Sequence, residues 1–239
     1  LIIKFTYTFL LFLYSSSLLS QNEFSKEKHY TVYDSIIGIE SLNLLNGKLF
    51  IDYFKSNKEE HRYFQSFQYY NGLVVSEGQP YFNLSLKYDL LEDQLILNPN
   101  TEKNFLNIKL ISENISRFTI ANHEFFNFYN NDKLKKIGFN GFLEPVYKGN
   151  LINLYSKHSK DKKEKIRGNK TYFIFNKYAI YLLQYNTDFY EIKSRKSLRK
   201  IFPEMETLIN EYYKKNTVLL KRNPNQFYKL LINQIDNQL

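Results

Sequence analysis

Three carboxylates stand close together at Asp89, Glu92 and Asp93, within Tyr88-Asp89-Leu90-Leu91-Glu92-Asp93. Paired carboxylates can hydrolyse a glycoside when they face each other across a cleft at about 5 to 9 Å, and clustered carboxylate oxygens can bind calcium. The spacing matches no calcium loop, and acidic residues are common in turns for backbone reasons alone. These three are therefore the candidate catalytic residues for carboxylate-dependent hydrolysis of a glycan or ester, with a solvated turn as the simpler reading. The four histidines, His29, His61, His123 and His158, are too widely spaced for a helix-face metal pair. His123-Glu124 begins like a zinc-protease motif, but Asn127 stands where the second imidazole must be. Each histidine is expected as an exposed or half-buried strand or loop residue, and no metal or cofactor is implied. No serine lies in a G-x-S-x-G elbow and no glycine-rich phosphate loop follows a strand. The chain has no cysteine, which excludes disulfides, thiolate zinc sites and cysteine nucleophiles together.

Two other runs suit binding better than catalysis. Tyr63-Phe64-Gln65-Ser66-Phe67-Gln68-Tyr69-Tyr70 places aromatics on both faces of a predicted strand. Tyr63, Phe67 and Tyr69 could stack on sugars or peptides, since exposed aromatic rows often mark binding surfaces. Cross-strand pairing within the sheet is the alternative use. The second run, Lys157 to Lys170, reads as a solvated hairpin loop carrying Lys160, Lys162, Lys163, Lys165 and Arg167. With a net charge of +9, the surface should prefer anionic partners, although charge also serves solubility. Arginine is scarce, and nucleic-acid readers lean on its bidentate fork, so nucleic acid is a poor fit.

The elements that would position these residues are mostly strands. The chain has 21 Tyr and 21 Phe but only 8 Gly and 5 Pro, a composition that favours sheet over disorder. From about residue 40 to 193 apolar residues alternate with polar ones. Asn46-Gly47 and Asn71-Gly72 predict hairpin turns between Leu42–Leu45 and Lys48–Tyr53, and between Tyr63–Tyr70 and Leu73–Val75. Glu77-Gly78-Gln79-Pro80 reads as another turn. In the next strand Phe82, Leu84, Leu86, Tyr88 and Leu90 should point to a core, and Asn83, Ser85, Lys87 and Asp89 to water. Leu91–Gln94 turns the chain into Leu95–Leu97, and Leu106, Ile108 and Leu110 repeat the pattern. Further strands are predicted over 142–147, 151–155, 171–175, 178–185 and 189–193. The fold class is mainly β, an antiparallel sandwich or barrel-like sheet with two to three C-terminal helices. Ser194 or Ser197 caps the first helix, which reaches Phe202. Met205, Leu208, Ile209 and Tyr212 form one apolar helical stripe, with Lys214 and Lys215 in the last turn. Asn223-Pro224 starts the terminal helix, whose inward face is Phe227, Leu230 and Leu231.

The first 20 residues differ from the rest. Lys4, the apolar stretch Phe5–Tyr14 and the serine-rich end at Ser20 have the form of a secretory signal peptide. A spanning helix needs roughly 20 largely apolar residues, more than this stretch offers. Residues 21–239 are then one exported β-rich domain with no transmembrane segment. A domain of that size buries roughly 70% of its unfolded surface, enough to fold without disulfides. Periplasm, medium and peripheral attachment to an outer membrane all suit it. A transmembrane barrel fits poorly with a helical tail and lysine-rich loops.

Gly78-Gln79-Pro80-Tyr81-Phe82-Asn83-Leu84-Ser85-Leu86-Lys87-Tyr88-Asp89, Asp93-Gln94-Leu95, Tyr147-Lys148-Gly149 and Lys193–Phe202 resemble a group of uncharacterised exported proteins of Bacteroidota. The likeness covers most of 40–215. It implies export and carries no activity with it. The resulting expectation is a non-enzymatic envelope or secreted protein that binds or scaffolds another envelope protein, or an anionic polymer or surface. The alternatives are the carboxylate-dependent hydrolase and a basic adhesion module.

Overall fold

The computed structural model describes residue 30 and residues 43–54, 56, 59–99 and 106–239, with the side chains of Arg167 and Lys170 excepted. The leader expected over 1–20 lies outside the described residues.

Eleven antiparallel strands form one open sheet in the order β1-β5-β4-β3-β2-β6-β7-β8-β9-β10-β11. They are β1 Lys48–Leu49, β2 Tyr70–Ser76, β3 Gln79–Asp89, β4 Gln94–Asn98, β5 Ile108–Lys109, β6 Ile115–Ile120, β7 His123–Asn127, β8 Phe142–Lys148, β9 Ile152–Arg167, β10 Lys170–Tyr185 and β11 Asp188–Ile192. The mainly β reading with C-terminal helices is the fold seen, although the sheet does not close on itself.

Several predicted boundaries move. Asn71-Gly72 lies inside β2, where Gly72 pairs with Leu84 on one side and Ile120 on the other. A Cβ at Gly72 would run into the Thr119 carbonyl and Leu86, so this glycine allows close strand approach and does not turn the chain. Two of the tight turns are at Glu77-Gly78 and Ala121-Asn122, all four residues at positive φ, as two-residue type I′ hairpin loops require. Ala121 carries no turn signature, so the sequence does not announce the β6–β7 hairpin. In β3, Asn83 sits at φ +56°, and the register slips between Gly72 and Val74. This bulge switches the pleat, so Tyr81 is buried and Phe82 only half-buried. The alternation holds from Leu84 to Leu90, all on the core side.

The strand predicted over Lys48–Tyr53 is only two residues long, and Asn43–Leu45 is a 3-10 turn. Leu106 is exposed. The loop predicted over Lys157 to Lys170 is instead the outer part of β9 and its turn into β10. Asn176-Lys177 is inside β10, so the two strands predicted there are one.

The N-terminal half of the sheet curls strongly. The β3–β4 turn meets the chain beyond β7 where Tyr129 Oη donates to the Asp93 carbonyl at 2.9 Å, and Asn127 Nδ2 secures the approach to β6 by donating to the Ser112 carbonyl at 2.7 Å. Inside the curl, Tyr88, Phe118, Phe125 and Phe142 pack with Leu86, Leu95 and Ile120. Full burial of one such side chain contributes about 1.5–3 kcal/mol.

The helices are α1 Asp132–Lys136, α2 Arg195–Ile201, α3 Glu206–Lys215, α4 Thr217–Arg222 and α5 Pro224–Asp236. The predicted starts hold. Ser197 Oγ accepts the Ser194 N–H at 3.1 Å, and Asn223 Oδ1 accepts the Gln226 N–H at 3.0 Å, with proline at the first helical position. Phe227, Leu231, Ile232 and Ile235 of α5 close over Ile152, Leu154 and Leu183 of β9 and β10, while Leu230 points outward. Asp236 pins the end of α5 by accepting the N–H groups of Asn150, Leu151 and Ile152 at 2.9–3.0 Å and the Tyr147 hydroxyl at 2.9 Å. A Cβ at Gly149 would strike this carboxylate. Among the described residues no helix is long and apolar enough to cross a membrane.

Candidate functional site

The aromatic run Tyr63–Tyr70 is irregular. Tyr63 makes an isolated bridge to Asp89 and Tyr70 opens β2 opposite Leu86, but between them Gln65 at φ +57° breaks the extended path. The run therefore folds back over the outer face of β3 and β4, where Phe50, Tyr63 and Ile96 bury one another with Phe67 and Tyr69. Lys87 and Asp89, which the alternation assigns to solvent, lie beneath this cover and are almost wholly buried.

Asp89 Oδ1 accepts the N–H groups of Leu91 and Glu92 at 3.0 and 3.3 Å, holding the β3–β4 turn. Its Oδ2 lies 3.1 Å from Arg62 Nε, close enough to pair but off the line of a hydrogen bond. Burial pushes the Asp89 carboxyl up to about 6, against the pull of Arg62. Arg62 also approaches Glu92 at 3.3 Å and Asp52 at 3.8 Å, and lies 5.0–5.8 Å from the ring centres of Phe50, Phe54 and Tyr63. Glu92 binds Lys109 at 2.5 Å. Lys87 Nζ sits 4.2–4.6 Å from the ring centres of Tyr63, Phe67 and Tyr69, in cation–π range. Burial lowers the pKa of this lysine. Lys160 Nζ donates to the His61 carbonyl at 2.5 Å, and burial followed by the charge of Lys177 lowers it to about 8. Burial, Lys160 and Lys87 lower His61 to about 4.

Asp93 belongs to a separate network. Its carboxylate binds the Tyr88 hydroxyl, the Tyr129 hydroxyl at 3.0 Å, the Phe142 N–H at 3.2 Å and Lys157 at 2.8 Å. It ties the β3–β4 turn to the start of β8 and the inner end of the β9–β10 hairpin.

The sequence does not bring out a third group. Glu144 accepts from His123 Nδ1 with one oxygen and from His158 Nε2 at 2.6 Å with the other. Hydrogen bonds from both imidazoles hold the Glu144 carboxyl below its ordinary range, against the opposing effect of burial. With Glu144 ionised, both facing nitrogens must carry hydrogens. His123 Nε2 then accepts from Gln65 Nε2 at 3.2 Å, while His158 Nδ1 is buried without a hydrogen-bond partner. The rings of both histidines meet Phe64 edge-on at 5.1–5.2 Å. His61 and His158 are thus buried, not exposed or half-buried as strand or loop residues. His158 follows Ser156 by two along β9, and Ser156 lies opposite Glu144. That alternation would have been the signal, had the segment been read as strand.

No protein-family model, curated protein or solved structure matches the chain. Geometry alone must carry the functional argument. Asp89, Glu92 and Asp93 each already hold protein partners. Two hollows of about 480 Å³ and 440 Å³ are lined by other residues, the second by Lys109, Gln94 and Tyr129 but none of the three carboxylates. Among the described residues no group of three His, Asp or Glu side chains could hold a metal ion.

Exposed charge is spread over α1, the C-terminal helices and the β9–β10 hairpin, and of these the hairpin carries it on extended strands. β8 pairs with β9 only as far as Ser156, and β11 pairs with β10 only from Tyr181 onward. Residues 157–180 are therefore an arm whose strands form a ladder only with each other, tied to the rest of the sheet where the Lys160 N–H donates to the Leu90 carbonyl at 3.1 Å. One face, with His158, Lys160, Lys162, Phe173, Phe175 and Lys177, lies over Phe54, His61 and Phe64. There Phe54 meets Phe173 and Phe175 at 5.2 and 6.0 Å, and Lys162 Nζ is 4.4 Å from the Phe54 ring centre. The opposite face carries exposed Lys163 and Lys165 beside half-buried Tyr172 and Ile174, with exposed Tyr178 further down. Lys165 approaches Glu60 at only 4.0 Å. Of the predicted binding residues, Tyr63, Phe67 and Tyr69 enclose Lys87, Lys160 and Lys162 face inward, and Lys163 and Lys165 face outward. Arg167 ends β9 opposite Lys170.

Proposed function

We propose that the chain is an exported, non-enzymatic binding or scaffolding protein, and that the β9–β10 arm is the element it presents to its partner. The arm carries this reading. Residues 157–180 contain eight Lys and Arg against two acids, a net +6 out of +9 for the chain, on a ribbon that extends beyond its neighbours. The charges of the interior are committed to one another instead, as in Arg62–Asp89 and Glu144 with its two histidines. The leader-like first 20 residues and the resemblance to exported Bacteroidota proteins support export. Hydrolysis through Asp89, Glu92 and Asp93 is the second reading, and it is weaker because all three carboxylates already have partners within the fold.

The test replaces residues 161–176 with a two-residue Asn-Gly turn between the paired residues Lys160 and Lys177. Both proteins are expected outside the cytoplasm, with circular dichroism differing only by the strand residues removed from β9 and β10. Only the parent should co-sediment with envelope material, and neither should turn over glycan or ester panels. Retention in the cytoplasm with the leader intact, equal sedimentation of the two proteins, or turnover lost in Asp89→Ala would each overturn the reading. Should the shortened arm not fold, a Lys162→Glu/Lys163→Glu/Lys165→Glu arm of native length reads the same partition.

A further inference from the structure

We infer that the outward face of the β9–β10 arm is a binding strip for an acidic polysaccharide, an assignment that rests on the arm being the presented element.

The geometry is linear. Lys163 and Lys165 are alternate residues of one extended strand, so their Cα atoms stand about 6.6–6.8 Å apart on the same face. Across the ladder their partners are Ile174 and Tyr172, and Tyr178 lies opposite Ser159 on the same side. On β9 this face therefore runs Asp161, Lys163, Lys165, and on β10, about 4.8 Å away, Asn176, Ile174, Tyr172, so the cations lie at the outer end of the strip and Asp161 lies beside Tyr178 at its inner end. A row of this kind suits a ligand that repeats its charge along an extended chain better than a small anion, which needs donors converging on one point. Sugar rings offer what the strip can use: carboxylates for the ammonium groups, C–H faces for Tyr178 and Tyr172, and hydroxyls for the phenols.

Charge chemistry narrows the partner further. The strip uses lysine, a hydrated point charge, where phosphate and base recognition favour the bidentate fork of arginine. Lys163 makes no ion pair among the described residues, and the one carboxylate near Lys165 lies at the 4.0 Å limit, so an incoming carboxylate displaces little. Like charge along the strand opposes pairing with a second copy of the same arm. A lipid surface would call for several apolar residues at the tip, whereas Ile166 alone is prominently exposed there.

The test titrates the purified protein with polygalacturonate oligomers, with the same oligomers methyl-esterified to remove their charge, and with vesicles of mixed phosphatidylglycerol and phosphatidylcholine. Saturable binding to the acidic oligomer alone is expected. Lys163→Glu/Lys165→Glu should weaken it at least 10-fold at unchanged melting temperature, because both side chains are exposed. Tyr178→Ala should weaken it about 3-fold, keeping the salt dependence because only a neutral contact is lost. Raising salt from 50 to 500 mM should weaken it strongly, since screening shortens to about 4 Å or less at the higher value. Equal binding by the double variant, binding to vesicles or to the esterified oligomer in place of the acidic one, or no binding to any probe would overturn the assignment. If the shortened arm loses envelope association while polygalacturonate does not bind, the partner class is wrong and the arm reading stands. If envelope association survives arm removal, the arm reading itself fails.

Discussion

β9 and β10 meet the C-terminal helices through Ile152, Leu154 and Leu183 against Phe227, Leu231, Ile232 and Ile235. The polar group that anchors the end of α5, Asp236, is held by three backbone N–H groups and a hydroxyl. The outer face of β3 and β4 is closed differently. Its cover is irregular chain, of which residues 50–54 and 59–69 are described, and this cover brings Arg62 down onto Asp89 beside Lys87, all three almost wholly buried. The helical half thus closes with apolar side chains in regular elements. The other half closes with ions and rings whose positions depend on one another. The first should tolerate conservative change. The second should fail sharply when one charge is removed.

The largest effect is expected at Arg62. Arg62→Met leaves Asp89 buried without its cation, and removal of one partner from a buried pair typically costs about 3–5 kcal/mol. Ile232→Val in α5, which deletes one buried methylene, should cost about 0.5–1.5 kcal/mol. The double variant Arg62→Met/Asp89→Leu should recover most of the loss, because apolar replacement of a whole buried pair is often neutral. Urea unfolding of the four proteins checks this. Equal costs for Arg62→Met and Ile232→Val would erase the distinction between the halves.

The same layer predicts two opposing responses to pH. The Asp89 carboxyl is near 6 in the folded protein against 3.8 unfolded, so the folded state holds this proton more tightly. Its contribution is complete below about pH 4 and is lost as pH rises through 6. His61 is the reverse, near 4 folded against 6.5 unfolded, so its contribution grows as pH climbs from 4 to 6.5. Each shift amounts to something on the order of 3 kcal/mol. Relative to the parent, Asp89→Asn should gain stability more steeply between pH 4 and 6, and His61→Gln less steeply. Unfolding free energies at half-unit pH steps decide it. Parallel profiles for all three proteins would show that neither the Asp89 nor the His61 proton is linked to folding.

The two halves were also unequally legible. Ser194, Asn223-Pro224 and the stripe through Ile209 and Tyr212 foretell the helices because caps and 3.6-residue periods are local signals. Leu84 to Leu90 foretell one face of β3 for the same reason. The burial of Asp89 and Lys87 depends on Arg62, Tyr63, Phe67 and Tyr69 arriving from about 20 residues upstream without regular structure, and no local pattern encodes that. The run from Lys157 to Lys170 misleads because lysine has low strand propensity. Its pairing is supplied by Tyr172 to Tyr178 across the ladder. Glu144, His123 and His158 come together only through three separate strands, so the one trace of the cluster is the alternation of Ser156 and His158, hidden once their segment is read as loop.

The smallest effect belongs to Asn83, where one backbone angle sets the phase of β3. At φ +56° asparagine is among the better-tolerated side-chain residues, glycine is unstrained, and a β-branched residue is disfavoured. Asn83→Gly should therefore change stability by about 0.5 kcal/mol or less, after the loss of the exposed 3.2 Å bond from Asn71 is set against relief of the angle. Asn83→Val should cost about 1–2 kcal/mol, unless the bulge irons out. An ironed bulge would restore strict alternation and exchange Tyr81 with Phe82 on the core face, a change that amide exchange across Gly72–Val74 and Tyr81–Leu84 would register. If valine is accepted with native exchange and no loss of stability, the bulge is set by the cover of Phe50, Tyr63, Phe67 and Tyr69 and not by the residue at its apex. That result would extend to the backbone the mutual dependence already ascribed to the charges of this half.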